Sequence, residues 1–484
     1  MHTPFFPSLR SRLAALGCRT TRTLHQTSLH QLQQRLRDLL PPQLLCSEEE
    51  GPHSRNRVFS LRLTFECFVW QVLKPQTACR EVVRNIQALM RLQGRQPIAE
   101  RDSAYIQARS CLPLERLERA LESTAKAADR LSGPSGHLAG RPVKVVDSST
   151  TQLADTPSNQ KAFPQPSSQK KGCGFPVIRF IALLSLDSGA IAQVIADNLK
   201  CHELRLFKRL WEYFRTGDII LGDRSYGEFT TAAALPRLGV DLVARLHGAR
   251  NVDYRKGKRL GKKDGLFIWQ KPYQQSVIIS ASEWNLLPEQ LTVRIIRFSA
   301  TIRGFRARRV TLVTTLLDPH LYPANQIIAL YQRRWEMELC FRDIKTTMRM
   351  EYLRCKSPEM AQKELLAYLI GHNLVRCIMA EAMAAHAVDL DRFSFKGAVD
   401  SLRQYSSAVA QARNEKLRRQ LWDDLLLNLA RDLLRSRPGR SEPRAVKRRP
   451  KAYPLLNQPR RKFVEISHRS RYWKGRPRKY RGLN

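Results

Sequence analysis

At residues 132–142 the chain runs through "SGPSGHLAGRP", and there its hydrophobic period changes from that of helices to that of strands. From about residue 28 to 131, the stretches "LHQLQQRLRDLL", "QTACREVVRNIQALMRL" and "PLERLERALESTAKAADRL" place apolar residues at i, i+3, i+4 and i+7, the pattern of amphipathic helices. Beyond the linker, "VKVV" leads to Asp147, and "VIRFIALLSL", the turn "DSG" and "AIAQVIA" predict a strand hairpin over 177–196. A helix ("HELRLFKRLWEYFR"), a short strand ending at Asp223 ("DIILGD"), a short helix interrupted by Pro236 and a further strand ("VDLVARL") follow. Strands alternating with helices predict an α/β layer with a largely buried sheet.

Residues 248–316 break this alternation with a basic turn and four strand-like segments, "LFIWQ", "SVIISASEW", "LTVRIIRFS" and "ARRVTLVTTLL", which predict an all-β insertion. Helical patterns return, with a long apolar one in "AQKELLAYLIGHNLVRCIMAEAMAAH", and continue over 388–435. The segment from Arg435 to the end carries eighteen Lys and Arg against two Glu, a composition that predicts disorder, or order only on DNA.

Charge narrows the partner. With 83 Lys and Arg against 43 Asp and Glu, the formal charge is +40, which calls for a polyanion. No uninterrupted apolar run reaches the ~18–20 residues of a membrane span, so nucleic acid is favoured over a membrane. The ten Cys are scattered without a CxxC pair or zinc spacing and read as reduced residues of an intracellular protein. Residues 1–37 hold no Asp or Glu and read as a basic arm for DNA rather than an organelle-targeting segment.

The stretch "YQRRWEMELCFRDIK", residues 331–345, carries the chemistry. At about 100° per residue, Tyr331, Arg334, Glu338, Arg342 and Lys345 fall within about 40° of one line, with apolar flanks and a second polar face behind. A surface helix needs one polar face; the other suits an internal cleft. Asp147 and Asp223 each follow an apolar strand, and ligand sites in open α/β sheets lie at the carboxyl ends of strands. Three acids in one cleft repel one another unless a cation sits among them, and all-oxygen ligands favour Mg²⁺ or Mn²⁺. Such an arrangement suits two-metal phosphodiester chemistry, with Asp147, Asp223 and Glu338 as ligands and Tyr331, Arg334, Arg342 and Lys345 toward DNA phosphates.

The spacing Tyr331, Arg334, Glu338, Lys345, with Trp335 directly after the Arg, resembles the Y-x2-R-x3-E-x6-K (YREK) signature of bacterial insertion-sequence transposases of the DDE class. "VVDSST" and "LGDRSYG" are similar to the segments around that family's first and second catalytic Asp. The resemblance implies an RNase H-like core in two parts (143–247 and 317–386) around the β insertion (248–316). It further implies a helical N-terminal DNA-binding domain with its arm (1–131), and it leaves the linker (132–142), a helical C-terminal region (387–434) and the basic tail (435–484). It also implies a bacterial cytoplasmic, nucleoid-associated enzyme that binds the terminal inverted repeats of its element. That enzyme cuts and joins double-stranded DNA at element ends and target, and works as a homodimer when synapsed. Two alternatives share the residues: an RNase H-like, structure-selective nuclease without strand transfer, and an inactive transposase-derived DNA-binding protein. Trp269, Tyr273 and Trp284 of the insertion read as core aromatics before they read as stacking partners for a flipped base.

Overall fold

The computed structural model describes residues 39–45, 58–74, 76–92, 94, 96–247, 250, 252–300, 308–412, 414–434, 455–465 and 478–479. The arm expected over 1–37 and most of the basic tail lie outside the described residues. The chain divides into two compact units, residues 1–133 with 366–435, and residues 134–365 with 436–484.

The first unit opens with α1 (Leu61–Leu73), α2 (Cys79–Leu92), α3 (Ser103–Ser110) and α4 (Leu114–Ser132). Ser60 starts α1 by accepting the Leu63 N–H at 3.3 Å, satisfying one of the donors a helix start leaves unpaired. Cys67 of α1, Val82, Val83 and Ile86 of α2 and Tyr105 of α3 meet in one buried cluster. In α4, Leu117, Ala120, Leu121, Thr124 and Ala128 are buried at the spacing the sequence predicts, and the helix stops where Gly133 takes a φ of 65°.

The second unit is built on β1 (Val143–Leu153), α5 (Pro157–Ala162), β2 (Val177–Ser185), β3 (Ile191–Asn198), α6 (Glu203–Leu210), β4 (Ile219–Gly222), α7 (Phe229–Ala234) and β5 (Asp241–Arg245). It continues with β6 (Lys258–Gly261), β7 (Asp264–Gln270), α8 (Ala281–Asn285), β8 (Gln290–Ala300), β9 (Arg308–Thr314), α9 (Ala324–Gln332), α10 (Trp335–Arg342) and β10 (Tyr352–Leu353). The strands form one sheet in the order β3-β2-β1-β4-β5-β9-β8-β7-β6, with β10 beside the end of β1. Strands β3, β2 and β1 are antiparallel neighbours, whereas β4 and β5 run parallel to β1. The fold is mixed α/β, one large sheet with helices packed on it. One face of the sheet buries Val146, Ile181, Leu183, Ile220, Leu242 and Val313 against Leu206, Phe207 and Leu210 of α6 and Phe229 of α7.

Four expectations need correction. Asp147 does not end its strand: β1 is eleven residues long because β2 pairs with it from Lys144 to Gln152, carrying the polar run "DSSTTQ" in extended form. The segment 248–316 is neither all-β nor a separate sheet. Its strand β9 pairs with β5, so β9-β8-β7-β6 extend the core sheet, and "SVIISASEW" contains α8. Ser280 and Glu283 form a capping box there, which favours a helix start over the strand suggested by the preceding "SVIIS".

The third correction concerns the tail, part of which folds back against residues 155–174 through Leu455 and Arg460. Leu455 bridges to Gly174, and Arg460 is only 5% exposed, donating to Asp155 Oδ2 (2.9 and 2.7 Å) and to the carbonyls of Gly172 (2.8 Å) and Gly174 (2.7 Å). A burial that uses this many guanidinium donors holds a basic segment that composition alone would leave in water. Finally, α11 (Pro358–His386) is a helix long and apolar enough by composition to cross a membrane, yet 89% of its most apolar window is buried inside the protein. It is followed by α12 (Phe395–Gln411) and α13 (Glu415–Arg431), each started by a side-chain cap, Ser394 and Asn414.

Candidate active site

The strand register brings the two aspartates together. The pairing of β1 with β4 ends at Val145 and Leu221, and Asp147 and Asp223 each stand two residues beyond that pair, at the carboxyl end of β4. Residues two apart point to the same face of a strand, so both carboxylates rise on the same side of the sheet. Val146, between Val145 and Asp147, faces the opposite way into the core beside α6. The β4–β5 register places Arg245 level with Asp223 on the next strand.

The third acid arrives on α10. The stretch 331–345 is not one straight helix: α9 ends at Gln332, and the N–H groups of Arg333, Arg334, Glu336 and Met337 bond three residues back, the tighter 3-10 pattern. After Arg342 the coil loosens into a π turn, Asp343–Thr347, in which Met348 N–H bonds to the Asp343 carbonyl at 3.0 Å. Beyond this turn Lys345 reaches Ser149 of β1. π turns recur at functional sites because they re-aim side chains without ending a helix. Phe341 meets Phe180 of β2 edge-on at 5.6 Å, fixing α10 on the face that carries Asp147.

Arg334 links the acids, with its Nη2 donating to Glu338 Oε1 at 2.8 Å and its Nη1 to Asp147 Oδ2 at 3.4 Å. Asp147 Oδ1 also accepts the Ser148 N–H at 2.8 Å. Burial pushes the Asp147 carboxyl up to about 6, the Ser148 N–H and Arg334 pull it back, and the charges of Glu203 and Asp223 raise it again. Tyr331 is buried and pushed up to about 12, first by desolvation and then by Asp223, against the pull of Arg334 and Arg245. Lys345 Nζ donates to Ser149 Oγ at 2.6 Å, on the same face of β1 as Asp147, and burial lowers its ammonium from the usual lysine range.

Tyr331, Arg334, Glu338 and Lys345 thus line the strand ends with Asp147 and Asp223. Arg342 departs from the expected stripe, with a side chain 61% exposed beside Asp343 at 3.5 Å. Trp269 and Trp284 are buried in the core cluster under Arg250 and Lys271, whereas Tyr273 is fully exposed. Sequence reasoning passed over Arg245, although a charge ending the apolar run "VDLVARL" is the same signal that marked Asp223. It also passed over Glu203 and Tyr226. Burial raises Tyr226 well above the usual tyrosine range, and its hydroxyl donates to Glu203 Oε1 at 2.5 Å.

The donor set suits a hard cation in kind, since Asp147, Asp223 and Glu338 offer carboxylate oxygens without imidazole or thiol. Among the described residues no three such groups form a ready-made metal cluster, because Arg334 occupies the space between Asp147 and Glu338. In this state the guanidinium supplies the positive charge.

Residues 138–374 match the transposase DDE domain, a span that holds both aspartates and residues 331–345. The match gives the chain a transposase DDE domain, the domain of DNA-cleaving and DNA-transposing enzymes that in general depend on divalent metal ions. Over 426 residues the chain is 28% identical to the transposase InsG of insertion sequence element IS4 from Escherichia coli (strain K12), covering 87% of this chain and 93% of that one. A stretch of 77 residues is 32% identical to the transposase of insertion sequence element IS421 from Escherichia coli, covering 16% of this chain and 20% of the relative. Among solved structures, a piggyBac transposase synaptic complex with hairpin DNA, seen by cryo-EM, aligns at a TM-score of 0.39 and 10% identity over 87% of each chain.

Proposed function

We propose that this chain is the transposase of a bacterial insertion sequence, with Asp147, Asp223 and Glu338 as its catalytic carboxylates. The observation that carries this reading is the register. Asp147 and Asp223 each stand two residues beyond the last pair of the parallel strands β1 and β4, and Arg334 ties the α10 carboxylate to the first of them. Its substrate is double-stranded DNA at the element's terminal inverted repeats and at the target, in the bacterial cytoplasm. A homodimer would hold the two ends together.

The three carboxylates would hold Mg²⁺ or Mn²⁺, two ions in the working site. Bound there, the metal supplies activation of the attacking oxygen and stabilisation of the leaving one. The protein's own groups do the rest. Arg334 would offer its planar fork to the phosphate next to the scissile bond. Lys345, held by Ser149, adds a point charge, and Tyr331 Oη donates a hydrogen bond to a phosphate oxygen. Arg342 lies in solvent, where it would meet the DNA backbone farther from the reacting bond.

The test is cleavage of a labelled duplex carrying DNA from either border of the gene, with Mg²⁺, Mn²⁺ or EDTA. Metal-dependent nicking at a border, abolished in Glu338→Ala while border binding persists, is the expected result. Normal cutting by that variant would remove Glu338 from the site.

A further inference from the structure

The strand-end site has a second side. Glu338 comes from α10, on the face of the sheet that carries Asp147, whereas α6 packs on the opposite face through Leu206, Phe207 and Leu210. The first residue of α6 is Glu203, and beyond Val145 and Leu221 strands β1 and β4 are no longer paired. Glu203's charge acts on Asp147 more strongly than that of Asp223.

The position of Glu203 is built rather than incidental. Tyr226, three residues after Asp223, is fully buried, and its backbone N–H bonds back to the Asp223 carbonyl at 3.1 Å. Its ring lies against Gly222, where a Cβ would come within 2.8 Å of the ring carbons, so the residue before Asp223 must be glycine for the ring to lie there. Phe207, one turn along α6 from Glu203, packs on the same ring at 4.7 Å between centroids. The Tyr226 hydroxyl then donates to Glu203 Oε1. One turn, "GDRSY", therefore carries the second aspartate and fixes a fourth carboxylate beside it.

We propose that Glu203, held by Tyr226, is a positioning residue of the catalytic centre, anchoring water of the divalent cation from the side opposite Glu338. This inference rests on the metal-binding role proposed for Asp147, Asp223 and Glu338. A carboxylate next to bound metal acts through its hydrogen bonds to the ligands, and losing such a partner typically costs about 10–100-fold in metal affinity or activity.

The experiment is Mn²⁺ binding to the purified full chain, followed by titration calorimetry and by the electron-spin signal of free Mn²⁺, without DNA. Wild type, Glu203→Gln, Tyr226→Phe and Asp223→Asn are compared, with circular dichroism as a check on folding. The expected result is a roughly tenfold weaker Kd for Glu203→Gln and a smaller loss for Tyr226→Phe, which removes only the hydroxyl. Wild-type Mn²⁺ affinity in both Glu203→Gln and Tyr226→Phe, with Asp223→Asn impaired, overturns the role of Glu203 and leaves the site itself standing. Wild-type affinity in Asp223→Asn overturns the metal site and this inference with it. Should Glu203→Gln fail to fold, Tyr226→Phe decides: unchanged Kd there rejects the proposal, and weakened Kd supports it.

Discussion

Arg334 donates to Glu338 at 2.8 Å and reaches Asp147 at 3.4 Å, so one guanidinium connects the helix acid to the strand acid. A cation is therefore already part of the acidic centre, and it carries donors that match a phosphate.

Arg334→Ala removes both contacts at once. Hydrogen bonds to charged groups contribute about 1.5–3 kcal/mol each, so cleavage should fall by at least roughly tenfold to a hundredfold. Arg334→Lys, which keeps the charge and loses the fork, should recover only part of the rate. Single-turnover cleavage of border duplex measures both, and border binding should change much less.

Lys345→Gln should weaken DNA binding in a salt-dependent way. If its ammonium, now held by Ser149 Oγ, neutralises one phosphate, the slope of log K against log salt becomes shallower by about 0.9. Binding isotherms at several salt concentrations test this, and an unchanged slope would place Lys345 off the DNA.

Arg460→Ala should destabilise the unit that contains it. The substitution removes the guanidinium bonds to Asp155, Gly172 and Gly174, but Gln160 Nε2 still serves Asp155 and the Gly174 carbonyl and the backbone N–H of residue 460 still serves Gly172, so with Asp155 a quarter exposed about 1–2 kcal/mol is expected rather than the full cost of a buried pair. Urea unfolding should show the loss as a lower midpoint.

His372 sets a pH dependence. Complete burial, with Arg376 adding to it, lowers its imidazole to about 3, and its ring stacks on Phe395 at 5.0 Å. Between about pH 6.5 and 3 the unfolded chain binds the proton and the folded chain does not. This contribution is therefore fully present above about 6.5 and is lost as pH falls toward 3, on the order of a few kcal/mol. The difference in stability between wild type and His372→Phe, measured from pH 7 down to 4, should shrink with acid.

Much of this protein was legible in its residues. The helical periods at 79–92 and 114–131, the hairpin at 177–196 and the apolar strands before Asp223 and Arg245 are local patterns, set by which side chains can share one face, whereas the expected helix over 29–38 lies outside the described residues. Tyr331, Arg334, Glu338 and Lys345 were visible for the same reason, as one stripe. What local pattern could not decide was pairing. The length of β1 depends on β2 holding a polar run extended, and the merging of residues 248–316 into the core sheet depends on β9 finding β5. Arg342, a turn beyond Glu338 on the same helix, is 61% exposed beside Asp343, and periodicity alone does not tell a cleft-facing position from one in solvent. Glu203 read as an ordinary helix start until Tyr226, twenty-three residues on, reached it. Sequence determined the chemistry each segment can offer; tertiary structure decided which carboxylates meet, because strand register and contacts between distant segments are energies of the assembled sheet and not of any one stretch of chain.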